Sequence, residues 1–313
     1  MEVGIVTQVE DLHAYAVKAA IEAHGATCHV FTPGALEHAS ALLSDVEVAS
    51  TLKSSESHLV DIIRLDSIWY RRAIDSNPTS KPPLDPASTK FVSANIHTTI
   101  QGALDASFIG KWIDDPYSTH RAENKLLQLA VASRVGFRIP ETLVSQDLDG
   151  IREFCDAHPS GVIVKAVRGT PETRSLTKRV TEEHLGNRAS IESCPAIYQE
   201  LVPGTRHLRV HIFGEACLTA LLNSEDLDWR PRLAAARVQE YTLASEIEGK
   251  ARAALRQLGL TMGVFDFKLT DDGECVWIEL NPQGQFLFLE ALCGIPLTQA
   301  ISNHLLNPSK SLY

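Results

Sequence analysis

Gly263-Val264-Phe265-Asp266-Phe267-Lys268-Leu269-Thr270-Asp271-Asp272-Gly273-Glu274-Cys275-Val276-Trp277-Ile278-Glu279-Leu280-Asn281 decides the fold. Val264–Leu269 alternates apolar and polar positions, Cys275–Asn281 does the same, and Asp272-Gly273 between them is a strong two-residue hairpin signal. In that register Asp266 stands directly opposite Glu279, with Cβ atoms about 4.5–5.5 Å apart. Asn281 points to the same face. Phe265, Phe267, Val276, Ile278 and Leu280 form the opposite, core face, whereas Trp277 shares the Glu279 face, in a cleft or packed. Two carboxylates opposed across a ladder repel unless something compensates. Two readings stay open here: a solvent-facing pair satisfied by Lys268, or a hard-oxygen set of two carboxylates and an amide suited to Mg²⁺.

Upstream, His207–Phe213 alternates strictly, with Leu208, Val210 and Ile212 on one face and His207, Arg209 and His211 on the other. Ser245 with Glu248 reads as a capping box for a helix running to Gly259. Strands are expected at 162–167 and at the end of 193–200, and a helix through Leu126 and Leu129 stops at Gly136. The first third alternates strand and helix: Val3–Thr7, a helix ended by Gly25, Thr27–Phe31, and Ser67–Tyr70 before Arg71-Arg72. This is a small open βαβ domain, and it lacks the G-x-G-x-x-G of a dinucleotide site. The four prolines of 76–88 predict an irregular loop, followed by a helix over about 90–108. Asp114–Ser118 is the expected domain boundary, giving parts 1–117, 118–198 and 199–313. One of Arg71 and Arg72, Arg72 before Arg71, just past a strand end in an open α/β domain, is expected to bind a substrate carboxylate, which suits a forked guanidinium.

With 313 residues and a 44% hydrophobic content the chain is long enough for sizeable cores. Its formal net charge of −10 gives no overall pull toward nucleic acid or anionic membrane. No apolar run approaches the roughly 18 residues of a membrane span. Met1–Thr7 reads as a strand rather than a secretory signal, and six scattered cysteines read as reduced, buried small hydrophobes, so a cytoplasmic protein is expected. His207 and His211 have H-x-x-x-H spacing on a strand, without the Glu or third ligand of a zinc site.

Asp266 followed by Glu279-Leu280-Asn281 resembles the metal-binding triad of ATP-grasp ligases. Asn124-Lys125 opening a helix toward Gly136–Thr142, Lys165 in the strand Gly161–Lys165, and Gln199-Glu200-Leu201-Val202, similar to the adenine-binding hinge, follow in the family's order. Trp69–Arg72, Asp228-Trp229-Arg230 and Asn281–Leu287 look most like the microviridin-type macrocyclising peptide ligases, the graspetide synthetases. The resemblance spans the chain and implies an α/β ATP-grasp fold with an N-terminal pre-ATP-grasp domain. It implies ATP held by Lys125, Lys165, Gln199, Glu200, Leu201, Val202 and His207, and Mg²⁺ held by Asp266, Glu279 and Asn281. Arg209 and Arg230 would then hold the transferring phosphoryl group, and Arg72, Gln283 and Gly284 the substrate. The implied substrate is a ribosomally made precursor peptide with leader and core, and the implied assembly a homodimer. The competing expectations are a ligase of free amino acids or small peptides, one that adds an amino acid to a protein, and a non-catalytic nucleotide-binding regulator. His207 departs from the family, which carries a ribose-binding carboxylate there. The phosphate-covering segment Arg168–Thr173 is poor in glycine, and Asp114-Asp115-Pro116 also differs.

Overall fold

The computed structural model describes residues 1–33, 39–72, 85–169 and 177–307. The buried apolar run of β1 (Glu2–Val6) leads into α1 (Leu12–Ala23), capped by the Asp11 side chain, and then β2 (Thr27–Phe31), parallel to β1 as a helical crossover requires. β3 (Ala39–Leu43), β4 (Val48–Lys53) and β5 (Leu59–Asp61) form a separate antiparallel sheet that the sequence reading does not anticipate. β6 (Ser67–Tyr70) returns beside β1, and α2 (Pro86–Ser107) and β7 (Lys111–Ile113) complete a parallel sheet of order β2-β1-β6-β7. α2 begins inside the loop expected at 76–88, because Asp85 caps it and Pro86 occupies the first turn, where proline loses no hydrogen bond. The rest of that loop, up to residue 84, lies outside the described residues.

α3 (Pro116–Ala122) and α4 (Lys125–Arg134) lead into β8 (Thr142–Ser145), α5 (Leu148–Ala157), β9 (Val162–Ala166), β10 (Lys178–Arg179), α6 (Glu182–Gly186), α7 (Arg188–Ser193) and β11 (Ala196–Glu200). Those four strands form an antiparallel sheet of order β10-β9-β11-β8, packed on α5 through Leu148, Ile151, Val162 and Tyr198. The last part holds β12 (Arg206–Phe213), β13 (Ala216–Asn223), β14 (Arg237–Tyr241), α8 (Ser245–Leu258), β15 (Met262–Leu269), β16 (Cys275–Asn281), α9 (Leu287–Cys293) and α10 (Leu297–Leu306). Its sheet runs β14-β13-β12-β15-β16. One face packs on α4 and α8 through Leu208, Val210, Leu255 and Phe265; the other joins α1, α10 and the N-terminal sheet in a shared core. The Ser245–Glu248 capping box does not form: Ala244 is the N-cap and Ser245 already lies in the helix. No helix among the described residues is long and apolar enough to cross a membrane.

The hairpin departs from its expected register twice, and the departures cancel. Thr270 pairs with Glu274 around Asp271-Asp272-Gly273, with Gly273 at φ +87°, so the loop has three residues rather than two. Leu269 therefore faces Cys275, and Phe267 faces Trp277. A bulge between Asp266 and Phe267 inserts one extra residue on β16 and returns Asp266 to Glu279. The bulge also exchanges two side chains. Trp277 turns into the core, fully buried among Phe137, Phe265 and Phe267, and Ile278 moves out to line the cleft.

Candidate active site

Charged side chains line up across three adjacent strands. Glu279 on β16 faces Asp266 on β15, and Asp266 faces Arg209 on β12. Arg209 Nη1 donates to both carboxylate oxygens of Asp266 at 2.8 Å, and its Nη2 donates to the Gln285 carbonyl at 3.0 Å. On the far side Lys125 Nζ lies 3.7 Å from Glu279. Asn124 caps α4, so Lys125 sits at the positive end of a helix, an unfavourable place for a cation that Glu279 compensates. The Asn281 amide reaches Glu279 at 3.1 Å and Asp266 at 3.4 Å.

Burial pushes Asp266 above the ordinary carboxylate range, with Arg209 opposing and Glu279 adding to the shift. Burial also pushes Glu279 upward, but Lys125, Lys165 and Arg230 outweigh it and hold Glu279 low. Lys165, on β9 across the cleft, is lowered to about 8 by burial, only partly offset by Glu279. Arg230 is held strongly protonated by its bonds to Asp228, at 2.6 and 2.8 Å. Directly opposite one another on β12 and β15, His207 and Lys268 approach to 3.5 Å. Burial and the Lys268 charge lower His207 to about 4, so its imidazole is neutral.

Except for Arg209, these groups line one cavity of about 310 Å³ between the central and C-terminal sheets. It brings together Lys125, Lys165, Gln199, Glu200, Leu201, Val202 and His207 with Arg230, Asp266, Glu279 and Asn281. A second cavity of about 420 Å³ adjoins it, sharing Lys125, Glu279 and Asn281 and adding Arg72, Arg168 and Gln283. Arg209 lines neither and lies behind Asp266; Gly284 lines neither and packs against Val264.

No family model matches the chain, and no curated protein does. Solved structures match along its whole length. The macrocyclase MdnC bound with the precursor peptide MdnA, from Microcystis aeruginosa MRC, is 29% identical, with 98% of this chain and 100% of that one covered at a TM-score of 0.87. The macrocyclase MdnB from the same source is 29% identical over 97% and 99% of the two chains, at a TM-score of 0.82. The chain has the ATP-grasp fold and is similar to these macrocyclases along nearly its whole length. A Chryseobacterium gregarium RiPP-associated ATP-grasp ligase, in complex with ADP and a leader and core peptide, has the same fold at 22% identity, 98% and 97% coverage and a TM-score of 0.86.

Two carboxylates and an amide oxygen are the hard donors that Mg²⁺ prefers, and the cluster of lysines beside them suits polyphosphate. Among the described residues no group of three or more His, Cys, Asp or Glu side chains gathers, so a cation in the ligase would complete its shell from the amide and from ligand oxygens. The zinc spacing of His207 and His211 leads nowhere: His211 is fully buried and neither ring nitrogen has a partner. Segment 170–176, which includes most of the glycine-poor loop, lies outside the described residues. Cys28 and Cys275 are buried as expected, whereas Cys194 is exposed and the other three are half-buried. Of the two arginines after β6, Arg71 is fully buried and bound to Asp11 at 2.7 Å, which leaves Arg72 facing the second cavity. Sequence reasoning missed Lys268 and Asp228 as cleft residues; the alternation that places Asp266 already puts Lys268 on its face.

Proposed function

We propose that the ligase phosphorylates Asp or Glu side chains of a ribosomally made precursor peptide and closes ester or amide macrocycles through an acyl phosphate. The observation that carries this is the opposed Asp266–Glu279 pair, flanked by Lys125 and Lys165, in a cavity that opens into a second one. In this reading ATP occupies the first cavity, its base edge against Gln199–Val202 and its phosphates near Lys125 and Lys165. The Glu200 and Leu201 N–H groups are already bonded to Glu141 and Gly161 carbonyls, which leaves the base to the remaining main chain there. His207, neutral, faces the nucleotide where a carboxylate is usual. Asp266, Glu279 and Asn281 hold Mg²⁺, which when bound offsets charge during phosphoryl transfer.

Arg72 and Gln283 bind the peptide, with its carboxylate directed toward the shared residues of the two cavities. A carboxylate oxygen attacks the γ-phosphorus as the bond to ADP breaks. A core hydroxyl or amine then attacks the acyl carbon, loses its proton, and phosphate leaves. Arg230 stabilises the transferring phosphoryl group, and Arg209 holds Asp266 in place. We divide the chain at 117/118 and at the end of β11, where the reading of 198 falls inside a strand, and place a homodimeric enzyme in the cytoplasm, which fits six free cysteines.

Incubating the enzyme with ATP, Mg²⁺ and leader-bearing acidic peptides rich in Thr and Lys should remove one water per ring, read by mass spectrometry. Ligation of free amino acids with no dehydration of any such peptide would refute the proposal.

A further inference from the structure

Apart from Arg72, whose Nε donates to the Gln283 carbonyl at 3.2 Å, the residues that hold the loop after Asn281 line neither cavity. Asp11, buried at the start of α1, accepts from Thr7 Oγ1 and from Arg71 Nε, both at 2.7 Å, and lies 3.3 Å from His13 Nδ1. Burial pushes its carboxyl up, but His13, Arg71 and Thr7 outweigh that and keep it ionised. The far side of the His13 ring receives the Phe286 and Leu287 N–H groups on Nε2, at 3.1 and 3.4 Å. Two amide donors there require the lone pair on Nε2, so the proton sits on Nδ1, toward Asp11. Arg71 Nη1 donates to the Gln283 carbonyl at 3.1 Å, and Trp69 Nε1 donates to the Gln283 side-chain oxygen at 2.9 Å. The bonds made by His13 Nε2, Arg71 Nη1 and Trp69 Nε1 run from the N-terminal domain to Gln283–Leu287. The loop has little freedom to settle elsewhere, because a Cβ on Gly284 would lie 2.6 Å from Val264 Cβ.

The geometry points to Asp11, His13, Trp69 and Arg71 as positioning residues that set the peptide-binding loop 282–287 against the metal hairpin. This rests on the reading of the second cavity as the peptide site. These four residues of the N-terminal domain thus govern peptide turnover without themselves touching nucleotide or peptide. Asp11 orients both His13 and Arg71, and a buried carboxylate does so rigidly because each oxygen is already bonded.

The test uses His13→Phe, which keeps the ring against Phe286 but removes the acceptor, and Trp69→Phe, which removes the Gln283 donor together with part of the buried ring under Arg71; thermal unfolding checks that each folds. In His13→Phe, amide exchange at Phe286 and Leu287 should accelerate about tenfold, the worth of one such buried bond. In both variants the peptide KM should rise while nucleotide affinity stays at the wild-type level, and His13→Gln, which restores an acceptor oxygen, should recover part of the loss. Unchanged exchange at those amides, or an equal loss of nucleotide affinity, would overturn the assignment. If the wild-type enzyme turns over no peptide, the proposed function falls, and the exchange measurement alone still decides whether His13 holds the loop.

Discussion

Replacing Lys165 by arginine should remove a pH dependence that the wild-type protein carries. Lys165 is lowered to about 8 because burial strips water from its ammonium group and Glu279 offsets only part of that loss. Nucleotide phosphates need the charged form, so the apparent Kd scales with one plus the ratio of neutral to charged lysine in the free protein. For a group at about 8 that factor rises about tenfold between pH 7 and pH 9. His207, neutral from about 4 upward, adds nothing in this range. Stability runs the other way. The lowered value opposes folding below about 8, and the cost fades as pH rises toward the ordinary lysine value of 10.5, so weaker binding at pH 9 is not unfolding. The assay is nucleotide titration at constant ionic strength and saturating Mg²⁺, for wild type, Lys165→Arg and Lys165→Met. Wild-type affinity should fall across the range, the arginine variant should stay flat, and the methionine variant should be weak throughout. A flat wild-type profile would refute the reasoning, and an undiminished slope in Lys165→Arg would show that another group, Lys268 first, carries the titration.

The two carboxylates of the hairpin should separate by stability while agreeing in activity. Glu279→Gln and Asp266→Asn should both abolish ADP formation, but only Asp266→Asn strands Arg209, a side chain 7% exposed, and it should cost about 2–4 kcal/mol in urea unfolding; equal midpoints for the two would contradict the Arg209 pairing. Arg72→Gln should raise the peptide KM and leave the ATP KM unchanged, and equal effects on both would remove Arg72 from the peptide site.

Much of the candidate site was legible in sequence because its parts are local. Alternation with period two places Asp266, Glu279 and Asn281 on one face, and Asn124 before an apolar-periodic run marks the helix that presents Lys125. The parallel N-terminal sheet follows from strands separated by a helical pattern. Other features depend on packing between distant segments. The turn signal Asp272-Gly273 does not reveal a third loop residue, nor does alternation reveal the bulge that undoes its effect; the aromatic cluster of Phe137, Phe265 and Phe267 around Trp277 sits at that bulge. The β3–β5 sheet is short and largely exposed on β3, so its apolar pattern carries little signal.

Sequence alone determined which donor types sit on the alternating faces of the two hairpin strands and which lysines accompany them. Tertiary structure decided which of two adjacent arginines faces the second cavity and which is a buried support, because Asp11 meets Arg71 only after some sixty intervening residues have folded. It also decided where the loop after Asn281 lies, since its bonds to His13 and Trp69 join opposite ends of the chain. A strand's pattern reports which face a side chain takes; the partner waiting on that face is set by the fold.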